Sequence, residues 1–143
     1  MQNGAIVSFS GGQDSTTCLF WALKHFDFVE TVGFNYGQKN VVELQCREEI
    51  LAKIRTKYPQ LASKLREDLL IDAQSFGKVS SSALTGSGEA IKAHGSRGLP
   101  TSFVPARNLM FLTYAAARAY LKEVHTIVTG VGQACLLYTS DAA

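Results

Sequence analysis

Ala5-Ile6-Val7-Ser8-Phe9-Ser10-Gly11-Gly12-Gln13-Asp14-Ser15-Thr16-Thr17-Cys18-Leu19 is the stretch whose reading decides the fold. Residues 5–9 are a short, largely apolar run that ends at a glycine pair, the pattern of a buried strand. Residues 15–25 follow with Cys18, Leu19, Ala22 and Leu23 at helical spacing. A strand that turns through two glycines straight into a helix leaves backbone N–H groups and the positive end of the helix dipole facing one concavity, which is an anion site. The glycines admit dihedrals closed to other residues and let the backbone approach a ligand. Ser10, Ser15 and Thr16 add hydroxyl donors. Asp14 would repel an anion, so it either holds Mg²⁺ through its oxygens or caps the first helix. The turn is neither GxxxxGK[ST], whose lysine is absent, nor GxGxxG.

Outward from this turn the chain alternates. Residues 31–35 read as a second strand, and residues 41–57 as an amphipathic helix with Leu44, Ile50, Leu51 and Ile54 on one side and charges on the other. Pro59 stops that helix. Residues 61–65 suit a helical turn and residues 69–72 a third strand. Residues 77–105 are rich in Ser, Gly and Pro without periodicity, and a loop of that length in a compact domain is usually functional. Residues 108–122 read as an Ala- and Leu-rich helix and residues 126–130 as a fourth strand. The order β-α-β-α-β-loop-α-β predicts a parallel sheet with helices on both faces, the Rossmann-like doubly wound α/β class. Ligands of such sheets sit beyond the carboxyl ends of the strands, where Gly11-Gly12, Tyr36-Gly37 and Gly130-Val131-Gly132 all fall.

Bulk properties narrow the class of function. The chain has 143 residues, enough for one domain, and 46% of them are hydrophobic and 18% charged, a globular composition. A formal net charge of +2 does not supply the concentrated basic face of a nucleic-acid binder, so no nucleic-acid partner is expected. No apolar run approaches the roughly 20 residues of a membrane span. Cys18, Cys46 and Cys135 form neither a disulfide framework nor a CxxC zinc site. The N-terminus lacks a signal-peptide pattern, so a cytoplasmic, reducing setting is expected. His25, His94 and His125 match no metal or triad spacing and read as surface residues.

Three segments carry a resemblance. Phe9-Ser10-Gly11-Gly12-Gln13-Asp14-Ser15-Thr16-Thr17-Cys18 resembles the SGGxDS signature of the PP-loop ATP pyrophosphatases. With Phe34-Asn35-Tyr36-Gly37-Gln38-Lys39 and Pro100-Thr101-Ser102-Phe103-Val104-Pro105-Ala106-Arg107-Asn108, it is similar to the 7-cyano-7-deazaguanine synthase family of queuosine precursor biosynthesis, in order from about residue 4 to residue 133. The resemblance implies an adenine nucleotide α-hydrolase-like fold and an ATP-dependent ligase. In that reaction a small-molecule substrate, 7-carboxy-7-deazaguanine, is adenylated on its carboxylate. Ammonia then displaces AMP, and a second activation yields the nitrile. A homodimer is also implied.

Residue by residue, the resemblance places Phe9, Ser10, Gly11, Gly12, Gln13, Asp14, Ser15, Thr16, Thr17, Cys18, Leu19 and Asn108 at the nucleotide, and gives Asp14, Lys39 and Arg107 catalytic roles. Several bland readings stand beside these. Arg107 clamps a phosphate or carboxylate, or lies on a solvated helix start; Asn108 bonds the nucleotide or caps the following helix. Lys39 meets substrate or phosphates, or is solvated; Phe103 stacks on a base, or packs. Asn35 replaces the acidic residue of a common family pattern, FDYGQ, and Ala106 replaces the glycine of PGRN.

The resemblance fades at Cys135-Leu136-Leu137-Tyr138-Thr139-Ser140-Asp141-Ala142-Ala143, which looks like a translated sequencing adapter. Residues 1–134 are therefore expected to be an incomplete PP-loop ATP-binding domain and residues 135–143 a non-native tail, with a four-cysteine Zn²⁺ site of the family lying beyond them. Two other function classes share the turn: another PP-loop enzyme (a tRNA sulfurtransferase or an amidotransferase-type synthetase), and a nucleotide-binding fragment without catalysis.

Overall fold

In a computed structural model of the chain, residues 2–35, 41–76 and 107–130 are described. Four strands, β1 (Gly4–Ser8), β2 (Phe28–Asn35), β3 (Leu65–Asp72) and β4 (Ile127–Thr129), form one sheet in the order β3-β2-β1-β4. All three pairings are parallel. Helices α1 (Gln13–His25), α2 (Val42–Lys57), the short α3 (Pro59–Ala62) and α4 (Arg107–Leu121) connect and cover it. The chain runs from β1 outward to β3, then returns to set β4 on the opposite side of β1. The reversal of strand order therefore falls at β1, whose carboxyl end carries the glycine turn.

Strand alternation separates two cores. Val7, Phe9 and Val29 point to one face and pack with Leu19, Ala22 and Leu23 of α1 and Leu51 and Ile54 of α2. Ile6, Phe28, Val32 and Phe34 point to the other and pack with Ala115 and Ala119 of α4 and with Val124. Helices thus lie on both faces, as the alternating order predicts.

Two strands run longer than their apolar patterns suggest. β2 begins at Phe28 rather than at residue 31 because Glu30, which breaks the pattern, is buried against cations at the end of α4 and just past it: Arg118 Nη2 lies 3.4 Å from Glu30 Oε1 and Lys122 Nζ 3.7 Å from Oε2. β3 begins at Leu65 rather than at residue 69 because it is the last strand in the sheet order and its charged side chains, Arg66 and Glu67, reach solvent. Leu65, placed by its sequence in a helical turn, opens that strand, and the turn itself is α3, which starts at Pro59. The long segment 77–105 lies outside the described residues.

The buried face of α2 also departs from the sequence pattern. Its fully buried positions are Arg47, Leu51 and Ile54, so a guanidinium occupies the stripe that was to be apolar. Among the described residues no helix is long and apolar enough to cross a membrane.

Candidate active site

Phe9 ends β1 and is fixed from two sides. Its N–H donates to the Val32 carbonyl at 2.8 Å, and its carbonyl accepts from Arg47 Nε at 3.0 Å. Its ring is buried with Val7 and Leu19, so the backbone, not the side chain, enters the turn. Gly11 then adopts φ +91°, a conformation that costs an L side chain strain. A Cβ at that position would also lie 2.7 Å from the Glu43 carbonyl oxygen and 2.9 Å from the Arg47 nitrogen, so the turn lies directly on the backbone of α2.

Gly12, rather than Asp14, occupies the N-cap of α1, and it caps with no side chain. The hydroxyls are occupied within the turn. Ser15 Oγ donates to the Gly12 carbonyl at 3.2 Å and accepts from the Ser10 N–H at 3.2 Å, and Thr16 Oγ1 donates to the same carbonyl at 2.7 Å. Ser10 Oγ accepts from the Gly12 N–H at 3.2 Å. These bonds hold the turn in shape before any ligand arrives. They leave the N–H groups of Gly11, Gln13, Asp14 and Ser15 without an acceptor among the described residues, at the positive end of a 13-residue helix. The first-turn carboxylate of Asp14 is exposed.

Beside the turn lies a cavity of about 170 Å³, several times the roughly 30 Å³ share of one water. Ser8, Ser10 and Ser15 line it, together with Thr129 at the end of β4, Gly130 after it, and Arg107 and Asn108, which open α4. Phe34 and Phe111, stacked at 4.3 Å with an interplanar angle of 16°, give it an apolar wall, and Phe9 with Glu43, Leu44 and Arg47 of α2 completes the lining. Gly130 is pressed against α1, since a Cβ there would stand 3.0 Å from the Asp14 carbonyl carbon. The ends of β1, β2 and β4 therefore converge on one space.

The residues predicted to hold nucleotide fall into three groups. Phe9, Ser10, Ser15 and Asn108 line the cavity, and so does Arg107, which was expected to be catalytic. Gly11, Gly12, Gln13, Asp14 and Thr16 shape the turn or open α1. Thr17 faces solvent with its hydroxyl on the Gln13 carbonyl, Cys18 is half-buried, and Leu19 is a core residue. Burial first, and the Asp14 carboxylate second, push the Cys18 thiol above its ordinary pKa of 9.0. Asn108 lies within the first turn of α4, one residue past Arg107. Asn35 ends β2 half-buried. Lys39, Tyr36-Gly37-Gln38, Phe103 and Ala106 lie outside the described residues, as do His94 and residues 131–143. His25 and His125 are exposed, His25 stacking on Trp21 at 4.6 Å.

Sequence reading missed Arg47, Glu43, Phe34 and Phe111 as cavity residues. A usable signal for Arg47 was its place on the stripe of Leu44, Leu51 and Ile54. No residue pattern marks the aromatic pair, which comes from β2 and α4 and meets only in the fold.

Among the described residues no three His, Cys, Asp or Glu side chains converge as a metal cluster. Mg²⁺ on a nucleotide needs only one or two carboxylates, with phosphate oxygens and water for the rest; Asp14, exposed in the first turn of α1, and Glu43, on the cavity wall, are the carboxylates of that kind near the turn among the described residues. A Zn²⁺ site finds no such donor set among the described residues.

Comparison with known proteins gives one family. Queuosine biosynthesis protein QueC matches residues 4–136. The 7-cyano-7-deazaguanine synthase of Halorhodospira halophila is 52% identical over 130 residues, covering 91% of this chain and 52% of that protein. Those of Caulobacter vibrioides (49% identical, 91% of this chain, 53% of that protein) and Zymomonas mobilis (50% identical, 90% and 50%) are similar to it in the same way. The chain spans about half the length of the curated relatives it matches.

Proposed function

The chain belongs to the queuosine biosynthesis protein QueC family, and from that membership we propose that it carries the ATP-binding machinery of a carbon–nitrogen ligase that converts 7-carboxy-7-deazaguanine and ammonia to 7-cyano-7-deazaguanine. The observation that carries this reading is the pairing of opposite chemistries in one cavity. Arg107 and the turn residues Ser10 and Ser15 line the same cavity as the stacked Phe34–Phe111 pair. The first suits the phosphates of ATP, the second a planar heterocycle.

The chemical problem is charge, because a carboxylate must reach an anionic phosphorus while negative charge grows on the departing pyrophosphate. The N–H groups of Gly11, Gln13, Asp14 and Ser15 are already oriented, so they stabilise that charge without reorganising. Arg107, which has no carboxylate partner among the described residues, can grip a phosphate or the substrate carboxylate through two parallel N–H bonds. The chain's Asp14 and Glu43 would hold Mg²⁺, which supplies charge neutralisation to the phosphates when bound. Asn108, beside Arg107, offers an amide to the nucleotide. Lys39 is assigned to substrate or phosphates by the family resemblance alone.

The same reading takes ammonia as second substrate, no nucleic-acid partner, a homodimer and a cytoplasmic setting. The formal net charge of +2 supports a small-molecule substrate over nucleic acid. The test is release of pyrophosphate from ATP, measured with 7-carboxy-7-deazaguanine and ammonia together and with each omitted. Release that needs both supports the ligase. Release that needs a tRNA or another carboxylate overturns it.

A further inference from the structure

Arg47 is the largest fully buried side chain in the described protein, and it is charged. Burying a lone guanidinium is costly, so its partners explain why it is there. The Asp68 carboxylate of β3 takes both ends of the fork: Nη1 donates to Oδ2 at 2.8 Å, and Nη2 pairs with Oδ1. Thr31 Oγ1 of β2 donates to the same Oδ1 at 2.6 Å and so orients Asp68. The third nitrogen, Nε, donates to the carbonyl of Phe9, the residue just before the Ser10–Gly12 turn. The backbone of the same residue lies under Gly11. One arginine therefore touches the turn at two points, and its fork is held from a strand two places away in the sheet.

We propose that Arg47 is a positioning residue: gripped by Asp68 and steadied by Thr31, it sets the placement of the phosphate turn, so that affinity for ATP depends on an ion pair remote from the phosphates. This rests on the reading of the turn as the ATP site. It differs from a direct phosphate contact, because the charge of Arg47 is already neutralised by Asp68, whereas Arg107 lines the cavity with no carboxylate partner among the described residues.

The two roles predict opposite signs. If Arg47 touched phosphate, Asp68→Asn would free its charge and tighten binding. As a positioning residue it loses its anchor, and binding weakens. The experiment measures binding of α,β-methylene ATP with Mg²⁺ to the 143-residue chain by calorimetry, together with the thermal midpoint of each variant. Asp68→Asn and Arg47→Lys should each weaken binding roughly tenfold, and Thr31→Val less, on the scale where tenfold is about 1.4 kcal/mol. Lysine keeps the charge but cannot serve Phe9 and Asp68 at once, so it should not rescue. In the double variant Asp68→Asn/Arg47→Lys the losses should not add. Ile54→Val, also buried on α2, should lower the midpoint and leave binding unchanged.

Binding that tightens or stays constant in Asp68→Asn overturns the proposal. So does weakening that merely tracks the midpoint across all variants, Ile54→Val included. Failure of the unsubstituted chain to bind the analogue overturns the ATP reading itself and this inference with it.

Discussion

The guanidinium of Arg47 crosses β2 at Gly33, where any Cβ would collide with it. The missing side chain at residue 33 is what lets the arginine reach both Asp68 and the Phe9 carbonyl. Gly33→Ala should therefore displace Arg47 rather than simply fill space. The expected loss of stability is about 2–4 kcal/mol, combining overpacking with a weakened, partly buried ion pair, measured by denaturant unfolding. Adding Arg47→Ala to Gly33→Ala should make the second substitution cost less than it does alone. Full additivity would show that the two positions do not share a site.

Arg107→Ala should lower kcat/KM for ATP-dependent pyrophosphate release by roughly 100-fold, as loss of a charge-stabilising donor does. Arg107→Lys should recover only part of this, since a lysine cannot form two parallel bonds to one phosphate. Steady-state rates at several ATP concentrations check it. A lysine variant as fast as the parent would refute bidentate binding.

How much of this was legible from residues varies by element. The glycine turn, the helix after it and the parallel class were readable because a strand turning on two glycines into a helix is a local pattern. The start of β2 was not, because Glu30 is acceptable inside the sheet only when Arg118 of α4 and Lys122 just past it arrive from far along the chain. The stripe of α2 marks Arg47 as buried, but its role was hidden for the same reason: its partners Asp68 and Phe9 are brought together only by strand order. On the site, Ser10, Ser15 and Thr16 carry hydroxyls as expected, but the fold uses those hydroxyls to hold the turn.

Glu67 gives a pH dependence. Hydrogen bonding to Lys122, with the charges of Lys122 and Arg118, holds its carboxyl below the ordinary 4.5. A depressed carboxylate contributes stability that is present above its unfolded value and is lost as pH falls through the folded one. Unfolding midpoints of wild type and Glu67→Gln should therefore differ at neutral pH and converge as pH drops below about 4.5. The carboxylate is exposed, so the difference should be small and should shrink with added salt. A gap that persists at low pH would assign the effect to packing instead.

Cys18 should alkylate more slowly than a free thiol at mildly alkaline pH, because burial and Asp14 both disfavour its thiolate. Asp14→Asn should speed the reaction only in part, burial being the larger cause. Rates with iodoacetamide across pH, read by mass spectrometry on the Cys18 peptide, test it. A rate that does not respond to Asp14→Asn would remove the carboxylate from the account.

The place of β4 has a consequence for the order in which the protein acquires its site. Ser8 pairs with Thr129, and Gly130 abuts the first turn of α1, so one wall of the cavity is made by residues synthesised long after the turn they complete. Strands β1, β2 and β3 can pair through short crossovers as they emerge, whereas docking β4 must close a loop of most of the chain, the slow and entropically costly kind of contact. Completion of the cavity is thus expected late in folding, and a nascent chain that displays the whole glycine turn still lacks the neighbour against which that turn is set.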